Sequence, residues 1–270
     1  MRPGATRGMG RIRAAGLAGL LAIAGPAVLA RGQDEAPARS PDVATVPPAE
    51  DFLVLPLTAH VLAAPGLPAA DCHLTDDDIR RVVGKANAIW AKAGIRWDLG
   101  PIVREAAARP DDYRAARDAG ARDPLGLLRL LAPEGSRSAG GVDVYYIHAF
   151  EANGVYLGGR TAFVQEVAKL RPVPGGIDEP LPRVTAHELG HALGLPHRQD
   201  RTNLLASGTT GTTLNRDEVD RARRRAAIFP GARTVPEIRR QRDDARARGD
   251  AAAADRLGAI LGALPAPAPG

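Results

Sequence analysis

Cysteine occurs once in these 270 residues, at Cys72, so the chain can hold no internal disulfide. Stability must come from packing, with a bound metal as the other available staple. Methionine occurs only at Met1 and Met9. Aromatic residues make up 4%, which leaves a core of Ala, Leu, Val and Ile. No glycine–aspartate repeat of the calcium-binding kind is present, so calcium is not assigned. The first thirty residues contain no acid, while Arg2, Arg7, Arg11 and Arg13 make them basic.

That charge asymmetry marks residues 1–30 as an export signal. An apolar stretch from Ala14 to Ala30 follows the basic start, and "AVLA" at 27–30 ends in small residues suited to cleavage. The stretch is short for a membrane span and holds Pro26. No cysteine lies near the cleavage point, which argues against a lipoprotein. The protein is therefore expected to be exported, secreted or periplasmic, with no membrane span in the mature chain. Removing the four arginines changes the charge. The whole chain has 36 basic and 31 acidic residues, or +5; the mature chain has 32 minus 31, or +1. The basic pI is thus no nucleic-acid signal, and no nucleic-acid partner is expected.

Residues 31–50 are rich in Pro, Ala and charge and read as a disordered linker. "FLVLPLTAHVL" at 52–62 is expected to be the first strand. In "TDDDIRRVVGKANAIWAKAG", Thr75 can cap a long helix whose apolar positions recur at helical spacing until Gly94. "IRWDL" at 95–99 alternates as a strand. Within 103–140 only Pro124–Leu131 is expected to be helical, the rest loop. "VDVYYIHAF" at 142–150 is a strand, and 154–167 holds one or two more around a bend at Gly158 and Gly159. Asn215 and Glu218 form a capping box for a closing helix. Residues 231–270 are expected to be a helical extension, broken near Gly249, with a Pro/Ala tail.

The chemistry concentrates in "TAHELGHALGLPH", residues 185–197. His187 and His191 are four apart, so on a helix both imidazoles face one point in space. Glu188 leaves the helix about 100° round from His187 and can border that point without coordinating. Gly194 can turn the chain in the left-handed conformation and bring His197 back as a third ligand. Three neutral imidazoles and an open position suit a catalytic Zn2+. Such a metal activates water and polarises a carbonyl, with Glu188 as general base.

"HELGHALGLPH" resembles the HExxHxxGxxH signature of the metzincins, a group of zinc metallopeptidases. The resemblance implies a domain over residues 51–230. Its fold would be α+β, a metzincin-like zincin fold: a twisted mixed β-sheet with a long first helix and a zinc-binding active-site helix. It implies His187, His191 and His197 as ligands of one catalytic Zn2+, Glu188 as general base and Gly194 as the turn glycine. It also implies a peptide or protein substrate, paired with an edge strand for which Val155, Tyr156 and Leu157 are the candidates. Metzincins carry a methionine turn beneath the zinc. Here "NLLASG", with Asn203 and Leu205, stands in its place, and no methionine exists beyond Met9 to supply one. Leu for Met is nearly volume-conserving, so zinc-dependent endopeptidase activity remains the expectation. An inactive zinc-binding relative and a non-peptidase zinc amidohydrolase are the alternatives.

Other residues read more plainly. Cys72 follows the first strand and is expected to be inert, not a latch on the metal. His60 and His148 are expected to be hydrogen-bonded packing residues on strands, and His73 a loop residue. Asp200 is a candidate to hydrogen-bond a ligand imidazole.

Overall fold

The computed structural model describes residues 46–265. The expected signal at 1–30, residues 31–45 of the linker and residues 266–270 of the tail lie outside the described residues. The first strand, β1, spans Leu53–Ala63. Thr75 then caps α1 (Asp76–Trp90) through a capping box. Its Oγ1 accepts from the Asp78 N–H at 3.1 Å, and the Asp78 carboxylate accepts from the Thr75 N–H at 3.0 Å. Gly94, at φ 62, ends the helical segment after a single 3₁₀ turn.

Two expectations for the next stretch are corrected. The strand expected at 95–99 runs on as β2, Ile95–Ala106. Gly100 and Pro101 lie at a register shift, where Leu57 pairs with Leu99 but Ala59 with Ile102. A bulge there needs no N–H from the proline, so the strand passes through a pair that reads as a breaker. The loop expected next contains α2, Pro110–Asp118, ahead of α3, Pro124–Leu131. Only Tyr113 of α2 is buried, so the helix carries almost no apolar stripe to announce it.

β3 covers Val142–Ile147, three residues shorter than expected, so His148 lies just past its end. β4 (Gly154–Gly158) and β5 (Thr161–Gln165) follow, joined by a turn in which Gly158, Gly159 and Arg160 all take positive φ. The sheet order is β2-β1-β3-β5-β4, parallel except for antiparallel β4 at the edge. α4 (Pro180–Ala192) carries the histidine motif, and α5 (Arg216–Ala227) starts at the Asn215–Glu218 capping box. β6 (Arg233–Thr234) pairs antiparallel with Leu53 and Val54, so the segment after residue 231 adds to the sheet. α6 (Val235–Ala247) and α7 (Ala251–Gly262) then fold against each other about Gly249, at φ 75. Ile238, Leu257 and Ile260 of this pair bury Val54.

The sheet is covered on both faces. On one, Ile79, Val82, Ala86 and Trp90 of α1 and Val184, Ala186 and Leu189 of α4 pack on Leu55, Leu57, Ala59 and Val61 of β1. On the other, Leu127, Leu128 and Leu131 of α3 pack on Leu62, Tyr145, Ile147 and Phe163. The Trp90 indole N–H donates to the Ala186 carbonyl at 3.2 Å, which locks α4 to α1. Fold class is therefore α+β with a mixed sheet, a long first helix and the histidine motif on a buried helix. Among the described residues, no helix is long and apolar enough to cross a membrane.

Candidate metal centre

α4 brings His187 and His191 one turn apart on the face toward a cleft. Gly194, at φ 77, reverses the chain after the helix. The His191 Nε2 lies 3.1 Å from the Nε2 of His187 and 3.1 Å from that of His197. Bonds of about 2.0–2.1 Å to a tetrahedral zinc would set neighbouring ligand nitrogens about 3.3 Å apart. Two of the three nitrogen pairs therefore already stand within a few tenths of an ångström of that spacing, and all three lie within 4.8 Å of one another.

The other ring nitrogens explain why the cluster faces inward with lone pairs. The His187 Nδ1–H donates to the Leu204 carbonyl and the His191 Nδ1–H to the Leu195 carbonyl, each at 2.8 Å. Those bonds place the protons on Nδ1 and leave Nε2 bare. Burial, and then the Arg183 guanidinium, lowers His187 to about 3; burial also lowers His191. Both are neutral at pH 7, the form that binds metal. Several bare nitrogens converging on one point fit a cation and little else. The three histidines form a group able to hold a metal ion, graded from buried His187 to exposed His197.

Glu188 points into the same cleft and is 3% exposed. Burial raises its carboxyl to about 8, opposed by Arg183 and by a hydrogen bond from the Tyr156 N–H. A cation at the triad would act in the opposing direction too. The cleft, of about 610 Å³, is lined by the three histidines, Glu188, β4 and residues 151–153. Gly154 faces the carboxylate closely: a Cβ there would lie 2.5 Å from the Glu188 Oε1 and 2.7 Å from Val184. The candidate edge residues Val155, Tyr156 and Leu157 do lie on β4, whose far side pairs with no other strand among the described residues.

Beneath the histidines runs the turn of Asn203–Ala206. The Asn203 Oδ1 accepts from the Leu205 N–H at 2.7 Å, and Leu205 is fully buried. Its Cδ1 lies 3.2 Å from where a Cβ on Gly190 would be, so the leucine fills the space under α4. Leu205→Met is expected to shift stability by less than about 1.5 kcal/mol, because the volume is conserved. A denaturant melt of the two forms measures it.

Three supports escaped the sequence reading. Arg183, 2% exposed, sits one turn before His187. Its Nε donates to the Gly211 carbonyl at 3.1 Å, and its Nη2 to those of Asn203 and Ala206 at 3.2 and 2.5 Å. One guanidinium thus pins the whole 203–211 loop to α4. Glu218, 1% exposed, accepts from the Arg198 Nε at 2.6 Å and from the Asn203 Nδ2 at 2.8 Å. It joins the segment after His197 to the turn, a role hidden behind its legible part in a helix cap. Gly154 is the third. Asp200, by contrast, accepts from the backbone and hydroxyl of Thr202 at 2.9 Å and from no ligand imidazole; main-chain carbonyls take that role. Cys72 lies in the loop after β1, bonded to the Leu62 carbonyl through its N–H and outside the triad.

No family model and no curated protein matches the chain. Solved structures give weak likenesses. Metalloproteinase-II from Bacteroides fragilis aligns at 13% identity and TM-score 0.36, covering 68% of this chain and 55% of that one. A zinc-dependent peptidase from Methanocorpusculum labreanum aligns at 14% and 0.30, covering 63% and 99%. A chaperone–substrate complex aligns at 13% and 0.35, covering 66% and 36%. The chain thus spans about a third and about half of the length of two of these structures. At such scores the function rests on the site's own geometry.

Proposed function

We propose that the protein is a zinc-dependent endopeptidase of metzincin type. The observation that carries this reading is the convergence of three imidazole Nε2 atoms beside a buried carboxyl group in one cleft. His187, His191 and His197 would hold the ion. When bound, zinc lowers the pKa of water in the site and polarises a carbonyl, as a Lewis acid.

The chain's own residues do the rest. The Leu204 and Leu195 carbonyls fix the two helix imidazoles in one tautomer and orientation. Glu188 takes the proton of the attacking water and returns it to the leaving amine. The free edge of β4 runs along the cleft, where an extended peptide can add as a further strand. An open cleft with a strand edge suits cleavage within a chain better than trimming of a short end.

The test is cleavage of a diverse peptide library by the full chain, read by mass spectrometry, with a chelator-treated sample beside it. Cleavage abolished by chelation and restored by zinc supports the reading. A zinc-loaded protein that cleaves no peptide would overturn it, in favour of a binding protein or a hydrolase of other amides.

A second expectation concerns the strand edge. Gly154→Ala places a methyl against the Glu188 carboxylate and should lower kcat by about 10²-fold, since ångström-scale misplacement of a reacting group costs that much. Zinc content should not change. Steady-state kinetics with metal analysis checks both, and an unaltered kcat would refute the close packing of Gly154 on Glu188.

A further inference from the structure

Two of the three histidines outside the motif, His73 and His148, meet at a second place. His73 lies in the loop after β1, His148 just past β3 and Glu166 just past β5. Their ligand atoms all lie within 4.8 Å of one another. We infer that His73, His148 and Glu166 form a second metal site, separate from the triad, for a zinc-type divalent cation.

The backbone builds this site before any ion arrives. The Glu166 N–H donates to the Ile147 carbonyl at 2.8 Å, the Val167 N–H to that of His148 at 3.3 Å, and the Ala149 N–H to that of Ala69 at 2.8 Å. The three ligand-bearing segments are thus fastened to one another. Glu166 is aimed as well. Its Oε2 accepts the His73 N–H at 2.7 Å, which leaves Oε1 between the two rings. That oxygen lies 3.2 Å from the His148 Nδ1 and 3.8 Å from the His73 Nδ1. The His148 Nδ1 is buried, and although Oε1 is near, the alignment makes no hydrogen bond. A buried ring nitrogen without a hydrogen bond, facing a carboxylate oxygen, is a donor pair that a cation would satisfy. It also corrects the reading of His148 as a satisfied packing residue.

Chemistry selects the ion. Two imidazoles and one carboxylate suit zinc and its neighbours, whereas calcium and magnesium want oxygen throughout. The half-exposed rings leave room for water to complete the shell. The Cys72 thiol, partly buried beside the site, hydrogen-bonds Glu166 and steadies the carboxylate. The site also stands at the root of residues 148–153, which reach the catalytic cleft. There the Phe150 N–H donates to the Gln165 Oε1 at 2.8 Å, and the Gln165 Nε2 to the Asn153 Oδ1 at 2.8 Å. An ion here would fasten one wall of the cleft.

The test is metal stoichiometry. The full chain is stripped with chelator, reloaded with zinc, desalted and measured by elemental mass spectrometry. The expected count is two per chain, falling to one in His73→Ala, in His148→Ala, and in a His191→Ala/His197→Ala variant. His73 is largely exposed, so its variant should fold, and circular dichroism verifies this. Two ions retained in both His73→Ala and His148→Ala would overturn the inference. So would a single ion in the parent that is lost from the His191→Ala/His197→Ala variant, or no ion at all. A single ion that survives in that variant but is lost in His73→Ala would uphold the second site while refuting the proposed function.

Discussion

Glu188→Ala is expected to leave zinc bound and to lower turnover by about 10²–10⁴-fold, the usual worth of a positioned general base. The two halves of this expectation have separate causes. Metal retention follows because the converging donors are imidazole nitrogens, each oriented or placed without Glu188. Loss of turnover follows because, among the described residues, no other carboxylate lines the cleft except Glu151, which Arg117 engages at 2.8 Å. Stability should not fall and can rise, since the variant removes a carboxyl that burial holds at about 8. Glu188→Gln keeps the shape and the hydrogen bond from Tyr156 but not the proton affinity, so it should behave like alanine in turnover. The measurement is kcat on the best library peptide beside zinc content and melting temperature. Turnover unchanged with zinc present would sink the role of base. Zinc lost together with turnover would instead make Glu188 part of the metal's support.

The local code of the motif was legible because helix geometry is short-range. Four residues fix the facing of His187 and His191, and a glycine at Gly194 announces the turn. The caps at Thr75 and Asn215 were legible for the same reason: donor and acceptor are three residues apart. The first helix and the sheet strands followed from their apolar patterns, and α3 from the proline at its first turn. What stayed hidden depends on contacts between distant segments. The run of β2 through Gly100–Pro101 depends on a bulge that only its pairing with β1 reveals. α2 was hidden because a helix with one buried residue has no stripe. Glu218 showed its cap but not its bonds to Arg198 and Asn203, fifteen and more residues away. His73, His148 and Glu166 looked like three unrelated residues because the sheet, not the sequence, puts the ends of neighbouring strands side by side. Arg183 was the one hidden residue with a visible signal. A charged side chain on the buried face of an apolar helix, one turn before a ligand, must find partners there.

Arg183→Met should accordingly be the most destabilising single change near the centre. Methionine fills the space of the stem but donates nothing. The carbonyls of Asn203, Ala206 and Gly211 then lose a buried donor together. The Asn203 carbonyl keeps the Ala206 N–H, but those of Ala206 and Gly211 are left unpaired at about 1–3 kcal/mol each, partly offset by no longer burying a guanidinium that desolvation lowers to about 10. The net loss should be about 3 kcal/mol, or about 10 °C in Tm for a domain of this size. The loss should also reach the metal. The loop that Arg183 anchors carries the Leu204 carbonyl, which holds the His187 ring. Loosening it should weaken zinc binding by about 10–100-fold, the range seen when a ligand's hydrogen-bond partner is disturbed. Arg183→Lys tests the geometry: one ammonium cannot reach three carbonyls in the plane of a guanidinium, so it should recover less than half of the stability. Thermal melts and competitive zinc titrations of both variants decide the matter. A methionine variant that melts within about 2 °C of the parent would show that water replaces the guanidinium at no cost, and that the loop under the metal holds itself.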